Sequence, residues 1–291
     1  MTRTKTSQSQ PHGGKACFDD VYDRPDPRGY FRTLGALEYQ TPHHAQRVFR
    51  RLLAAHTPVT GEDGPVSVLD LCCSYGVNAA LLRHDLTLGD LYERYTAPDT
   101  AALTSEALAD EDRAFYAARR LPSAARVIGL DAARNAVAYA RSAGLVDAGF
   151  GQDLETSDPS PGLCRALEPV RLITVTGGVG YVTRRTFAKL LPQIDGPVWV
   201  AAFVLRTVPY GPISDVLARY GLVTQKATSR TFPQRRFADA AEQRSAIEAV
   251  EAAGESPAGK ESAGYYHVDL FLSRPAEHAA AFPVEDLLEG A

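Results

Sequence analysis

One segment limits the fold more than any other: Val66–Leu82, VSVLDLCCSYGVNAALL. Its opening run, VSVLDLCC, has the length and β-branched content of a buried strand. A loop of small residues follows, and then a helix from Val77 to about Arg83. An acid near the end of a strand, a tight loop and a helix make the repeating unit of an open α/β sheet, where ligands bind beyond the carboxyl ends of the strands. The unit recurs. RVIGLD (Arg126–Asp131) runs into the Ala-rich helix AARNAVAYARSAG, closed by Gly144 as a C-cap. Further strands are predicted around Ala148–Gln152, Val170–Val175 and Val198–Leu205, with helices at Thr186–Leu191 and Ile213–Tyr220 between them. This alternation predicts an α/β, doubly wound and mainly parallel sheet. In the last strand, GYYHVDLFLS, Tyr266, Val268, Leu270 and Leu272 alternate with other residues, which predicts two adjacent strands closing the sheet in antiparallel fashion.

The remaining segments sort around that sheet. Residues 1–16 are almost free of apolar side chains and are expected to be a flexible tail. Residues 17–62 hold the aromatic stretch YDRPDPRGYF and a helical pattern from His44 to Ala55, starting near Thr41-Pro42. Residues 84–122 form a helical insertion into the α/β domain (63–275), with one helix carrying Leu88, Leu91 and Tyr95 and another over Ala101–Arg120. A charged Ala/Glu helix is predicted at Phe237–Ala253, and 276–291 are expected to be a C-terminal tail.

At 291 residues with 45% hydrophobic content, the chain can bury a full core. A formal charge of −4 gives no global footprint for nucleic acid or an anionic membrane. No run is long enough to span a bilayer, and the first residues lack the apolar core of a signal peptide. The four cysteines include an adjacent pair, Cys72-Cys73, and read as reduced thiols of a cytoplasmic protein. Neither that pair nor His43-His44 has the spacing of metal ligands, so no metal is expected. The loop after Asp70 lacks the G-x-G-x-x-G of a dinucleotide site, and C-S-Y-G is not the G-x-S-x-G elbow of a hydrolase.

Three acids stand at successive strand ends: Asp70, Asp131 and Asp153. With the loop CCSYG they resemble the motifs of class I, Rossmann-like S-adenosylmethionine-dependent methyltransferases. Asp70 matches the acid of the family's first motif and Gly76 its last glycine; Cys72 and Ser74 stand where the other two glycines are usual. The resemblance covers about Val66–Leu205. It implies a seven-stranded sheet with an antiparallel C-terminal strand, and S-adenosylmethionine as cofactor. Asp70, Cys72, Ser74, Tyr75, Gly76 and Asn78 would then border its amino acid end, and Asp131 and Ala132 its ribose. Asp153 and Leu154 would hold adenine, and Thr176 and Gly177, in LITVTGGVGYV, would border the reacting group. Arg171 replaces an acid frequent in the family.

The N-terminal segment is expected to act as a lid, with Tyr22, Tyr30, Phe31, Tyr39, His43 and His44 as its aromatic face. Tyr181, Tyr30 and His44 are the candidates for work at the reacting centre. The low charge favours a small-molecule substrate; a homodimer stays open, because 84–122 and 237–253 suit either pocket walls or subunit contacts. The function expected is methyl transfer to a small molecule. Two alternatives stand beside it. One is attack on the cofactor's aminocarboxypropyl arm with release of methylthioadenosine, as in an azetidine-2-carboxylate synthase or a 3-amino-3-carboxypropyl transferase. The other is a non-catalytic S-adenosylmethionine-binding regulator.

Overall fold

A computed structural model describes residues 19–61 and 65–288. The chain opens with helices α1 (Asp19–Tyr22), α2 (Arg28–Ala36) and α3 (Thr41–Thr60). The first β-α unit is β1 (Ser67–Leu71) and α4 (Val77–Arg83), followed by α5 (Leu88–Thr96), α6 (Pro98–Ala101) and α7 (Ser105–Ala117). Then come β2 (Arg126–Asp131), α8 (Arg134–Ser142), β3 (Ala148–Gly151), α9 (Pro161–Leu167), β4 (Val170–Thr176) and α10 (Arg184–Leu190). The C-terminal part holds β5 (Trp199–Leu205), α11 (Gly211–Arg219), β6 (Leu222–Lys226), β7 (Phe232–Arg236), α12 (Ala240–Ala252), β8 (Tyr265–Pro275) and α13 (Ala276–Ala281).

The strands form one Rossmann-like sheet in the order β3-β2-β1-β4-β5-β8-β6, with β7 added alongside β8. Neighbours among β1–β5 are parallel, and β8 is antiparallel to β5, β6 and β7. Side-chain alternation splits the core into two layers. Val68, Val127, Leu172 and Phe203 face α3, α4 and α8, whereas Leu69, Ile128, Ile173 and Val204 face α9, α10 and α11. Helices on both faces explain why β1 and β5 are buried throughout instead of alternating with polar residues.

The insertion is helical, as its pattern predicts, and one carboxylate fastens it. Asp112 of α7 is fully buried and accepts hydrogen bonds from Arg94 Nε, Tyr95 Oη and Tyr139 Oη, each at 2.5 Å. Tyr139 lies on α8, so the insertion is tied to the helix that follows β2. An unpaired charge there would be costly, and three donors offset its desolvation.

Four expectations need correction. Among the described residues the sheet has eight strands, not seven: FPQRR contains a proline and shows no alternation, so β7 is set by its pairing with β8. The segment 276–291 is not a free tail over the described residues. His278 accepts a bond from Trp199 Nε1 at 3.1 Å, and Val284 and Leu287 are buried. The third helix starts at Thr41, as expected near Thr41-Pro42, but it runs past Ala55 to Thr60, where Gly61 ends it at φ +72°. Charged helix α12 begins at Ala240 rather than Phe237, where Asp239 caps the amides of Ala241 and Glu242. The expected tail 1–16 lies outside the described residues.

Three residues of β8, Tyr265–His267, run past the end of β5, whose Leu205 pairs with Val268. On its other edge β8 carries β6 along Phe271–Pro275 and β7 along Tyr265–Val268. Strand β7 is thereby lifted to the carboxyl rim of the parallel strands. Hydrogen bonds from Gln40 N to Gln234 O (2.8 Å) and from Arg236 N to Leu37 O (2.7 Å) tie it to the α2–α3 connection.

Candidate functional site

A cavity of about 370 Å³ opens at that rim, beyond the carboxyl ends of β1, β2 and β4. Its floor begins with the loop after β1. Cys72 and Ser74 adopt φ of +60° and +48°, and Gly76 follows at +79°. Left-handed backbone costs about 1–2 kcal/mol for an ordinary L-residue, so this loop keeps a glycine-type course with side chains in place. Surrounding glycines make the room. A Cβ on Gly178 would lie 2.6 Å from Cys72 Sγ, and one on Gly129 would lie 2.9 Å from Cys73 Sγ. The two thiols therefore diverge, one towards the loop after β4 and the other towards β2, and burial pushes both up in pKa. That shift disfavours the thiolate form of either.

Asp131 ends β2 and joins the two loops. Its carboxylate accepts Ser74 N at 2.8 Å and Ala133 N at 2.9 Å, and burial raises its pKa. Each oxygen keeps a further lone pair for a hydroxyl donor in the cavity. Asp153 lines the floor with Leu154, and its carboxylate accepts Glu155 N (2.9 Å) and Thr156 Oγ1 (2.8 Å), which fixes the turn after β3. Glu155 then accepts Thr183 Oγ1 at 2.8 Å and Thr186 Oγ1 at 2.6 Å, locking the β3 turn to the start of α10.

Asp70 stands behind the floor, not in it. It is fully buried, and its Oδ1 accepts Asn78 Nδ2 and Thr174 Oγ1, each at 3.1 Å. Burial lifts its carboxyl to about 7. Asn78 also donates to Thr176 Oγ1 at 2.8 Å, so the amide is clamped with its Oδ1 buried and without a partner among the described residues. Asn78, Thr176 and Gly177 line the cavity.

The wall opposite comes from the N-terminal segment and β7. Tyr22, Tyr30 and Tyr39 meet edge to face, with Tyr30 centroids 5.7 Å from Tyr22 and 6.4 Å from Tyr39. Desolvation holds the phenols of Tyr22, Tyr30 and Tyr39 far above their ordinary range. Tyr181 stands at the mouth, 50% exposed. Arg235 lines the wall, but its guanidinium grips Glu242 with Nη1 at 3.0 Å and Nη2 at 2.6 Å from the carboxylate oxygens. Among the described residues, no group of three or more His, Cys, Asp or Glu side chains is arranged to hold a metal ion.

The structure thus brings Cys72, Ser74, Asn78, Asp131 and Ala132 into one cavity with Asp153, Leu154, Thr176, Gly177, Tyr30 and Tyr181. It leaves four candidates outside the lining. Asp70 acts through Asn78. Gly76 packs against α8, where a Cβ would meet Ala140 and Leu145 at 3.2 Å. Tyr75 turns away: its hydroxyl accepts Arg24 N at 2.8 Å and faces the carbonyls of Arg24 and Val21 at 3.0 and 3.2 Å. His44 points off the site. Its Nε2 lies 3.3 Å from Gln40 Oε1, its ring packs beside Phe232, and burial pulls its pKa down to about 4. Phe31 stacks on Tyr95 at 4.6 Å, and His43 borders a separate groove with Tyr92. Sequence reasoning missed Gln234 and Arg235, since β7 carries no pattern of its own, and Asp23, Gln152 and Thr186, which stand beside recognised motifs.

No family model and no curated protein sequence matches the chain. Among solved structures, the chain is similar to the plantazolicin methyltransferase BpumL in complex with SAH, at 12% identity over 88% of this chain and 93% of that one, with a TM-score of 0.44. It is also similar to the plantazolicin methyltransferase BamL in complex with a triazolic analogue and SAH (11% identity, 79% and 84% covered, TM-score 0.40). A third similarity is to a precorrin-6y C5,15-methyltransferase from Geobacter metallireducens, at 8% identity, 78% and 87% coverage and a TM-score of 0.39.

Proposed function

We propose that this cavity binds S-adenosylmethionine and that the protein transfers its methyl group to a small-molecule acceptor. The observation that carries the reading is Asp131, a carboxylate clamped between the loops after β1 and β2 and beside a small-residue loop in left-handed backbone. That arrangement fits a ribose diol, which needs acceptors at the end of β2 and close backbone approach at the end of β1. Asp153 and Leu154 would hold the adenine, and Asn78, Thr176 and Gly177 the amino acid end. When bound, the sulfonium supplies an electrophilic methyl group.

The chain's own contribution is mainly position. Holding an acceptor in line with the reacting bond accounts for a large part of the rate in such transfers. Burial disfavours ionisation of Cys72, Tyr22 and Tyr30, and His44 lies elsewhere, which leaves the carboxylates of Asp23, Asp131 and Asp153 as the weak bases of the lining. The acceptor is therefore a nucleophile that needs no strong base. Tyr22, Tyr30 and Tyr39 serve as a lid that keeps water from the reacting end, and Tyr181 borders the entrance. The N-terminal segment expected at 17–62 is read, over its described residues, as that lid, and the protein as cytoplasmic.

The test is incubation with S-adenosylmethionine and a panel of acceptors, with the nucleoside product identified by mass spectrometry. S-adenosylhomocysteine is expected. Methylthioadenosine without an acceptor would redirect the reading to attack on the aminocarboxypropyl arm, and calorimetry showing no cofactor binding would sink it.

A further inference from the structure

Gln234 sits where the ladder between β7 and β8 is irregular. Pro233 pairs with His267 and Arg235 with Tyr266, so two steps on β7 match one on β8 and Gln234 is the extra residue. Bulges of this kind re-aim a side chain. Here the amide enters the cavity wall: Gln234 lines the cavity and is 2% exposed, yet its Oε1 has no hydrogen-bond partner among the described residues. Gly177 clears the space, since a Cβ there would lie 3.1 Å from Gln234 Nε2. A buried acceptor left unmatched is costly, so the cavity's ligand is the natural donor.

Placement separates this amide from the residues assigned to the ribose and the adenine. Asp131 and Asp153 follow β2 and β3, on one side of β1, whereas β7 reaches the rim from β8, two strands beyond β4 on the other side. The segment that meets Gln234 through Gln40 N lines the cavity mostly with aromatic and apolar side chains, Tyr22, Tyr30, Leu34, Tyr39 and Pro42, beside Asp23. Among the described residues the one cation in the cavity lining, Arg235, is already matched by Glu242, so it does not call for an anionic ligand.

We infer that Gln234 reads the acceptor substrate, and that this substrate is a flat, uncharged aromatic molecule carrying an O–H or N–H that donates to Gln234 Oε1. The inference rests on the cofactor reading only in assigning the other half of the cavity.

Paired probes test it: 2-naphthol against 2-methoxynaphthalene, and indole against 1-methylindole, titrated by ligand-observed NMR into protein saturated with S-adenosylhomocysteine. In each pair only one member carries the donor. The wild type should prefer the donor-bearing member by roughly tenfold, the usual scale of one buried hydrogen bond. Gln234→Leu should bring the ratio near one, and Gln234→Glu, which keeps an acceptor, should retain it; thermal unfolding checks that both variants fold. An unchanged ratio in Gln234→Leu would overturn the inference, as would failure of all four probes to bind the wild type. So would a tenfold loss of S-adenosylhomocysteine affinity in Gln234→Leu with methylthioadenosine unaffected, because the amide would then be reading the cofactor's amino acid arm. If the wild type binds no S-adenosylhomocysteine, the cofactor reading fails on its own, and the same ratios measured on the ligand-free protein still judge Gln234.

Discussion

The floor and the far wall of the cavity are built in opposite ways. Each floor residue follows its own strand by a few positions: Cys72 and Ser74 after β1, Asp131 at the end of β2, Asp153 after β3, Thr176 at the end of β4. The segment that makes the strand also sets the site. The far wall is assembled from Tyr22, Tyr30 and Tyr39 and, two hundred residues later, Gln234 and Arg235. Those residues meet only because β8 overruns β5 and lifts β7 to the rim. The parallel strands fix a general binding edge, and the added segments decide what shares it.

If that division holds, substitutions in the floor and in the wall should separate in their effects. The largest effect is expected for Asp131→Ala, which strips an acceptor from two loop amides and, on the proposed reading, from the ribose. S-adenosylhomocysteine affinity should fall about 100-fold by calorimetry, and a comparable loss on truncating Gln234 would erase the distinction. Next comes Gly178→Ala, whose Cβ would press on Cys72 Sγ and Cβ at 2.6 and 2.7 Å. Overpacking there should cost about 2 kcal/mol in denaturant unfolding, and Cys72→Gly in the same chain should restore most of it. Simple additivity of the two changes would show that they do not share one space.

A smaller effect follows from the depth of Asp70. Its carboxyl titrates near 7 in the folded chain and near 3.9 when unfolded, so between those values the folded state holds a proton that the unfolded state has lost. Stability from this group therefore declines as pH rises, by about 1.4 kcal/mol between pH 6 and 8, the equivalent of one pKa unit. The stability difference between wild type and Asp70→Asn, followed by thermal unfolding across that range, should carry this slope. The smallest effect belongs to Tyr75→Phe, which cuts the hydroxyl joining the floor loop to Arg24 and Val21. Stability should drop by about 1 kcal/mol, and the acceptor's KM should rise more than the cofactor's Kd. The opposite order would place Tyr75 with the floor.

The same division explains what could be read in advance. The places of Asp131 and Asp153 in the cavity lining were legible, because the carboxyl ends of the strands in an open α/β sheet form the rim where cavities open. Asp70 was legible as a strand-end acid, but not as buried, since depth depends on Asn78 and Thr174 lying over it. His44 misled because a histidine at a helix start shows its helix but not its face; the cavity takes Pro42 from that turn instead. Tyr75 misled because a loop can turn a side chain outward to hold another segment. The residues 232–236 were opaque, because their strand exists only through β8, some thirty residues further along. The C-terminal residues looked like a tail because Val284 and Leu287 are too few to show a period.

The irregular step on β7 has a consequence for how such a site changes its ligand. Gln234 is surplus to the ladder: Pro233 and Arg235 already meet consecutive partners on β8. Removing it whole would lose one bond from Gln40 but no rung of the sheet. The amide behaves as a spliced-in piece, so what the far wall recognises can be gained or lost by a change in chain length of one residue, with the scaffold that carries it left standing.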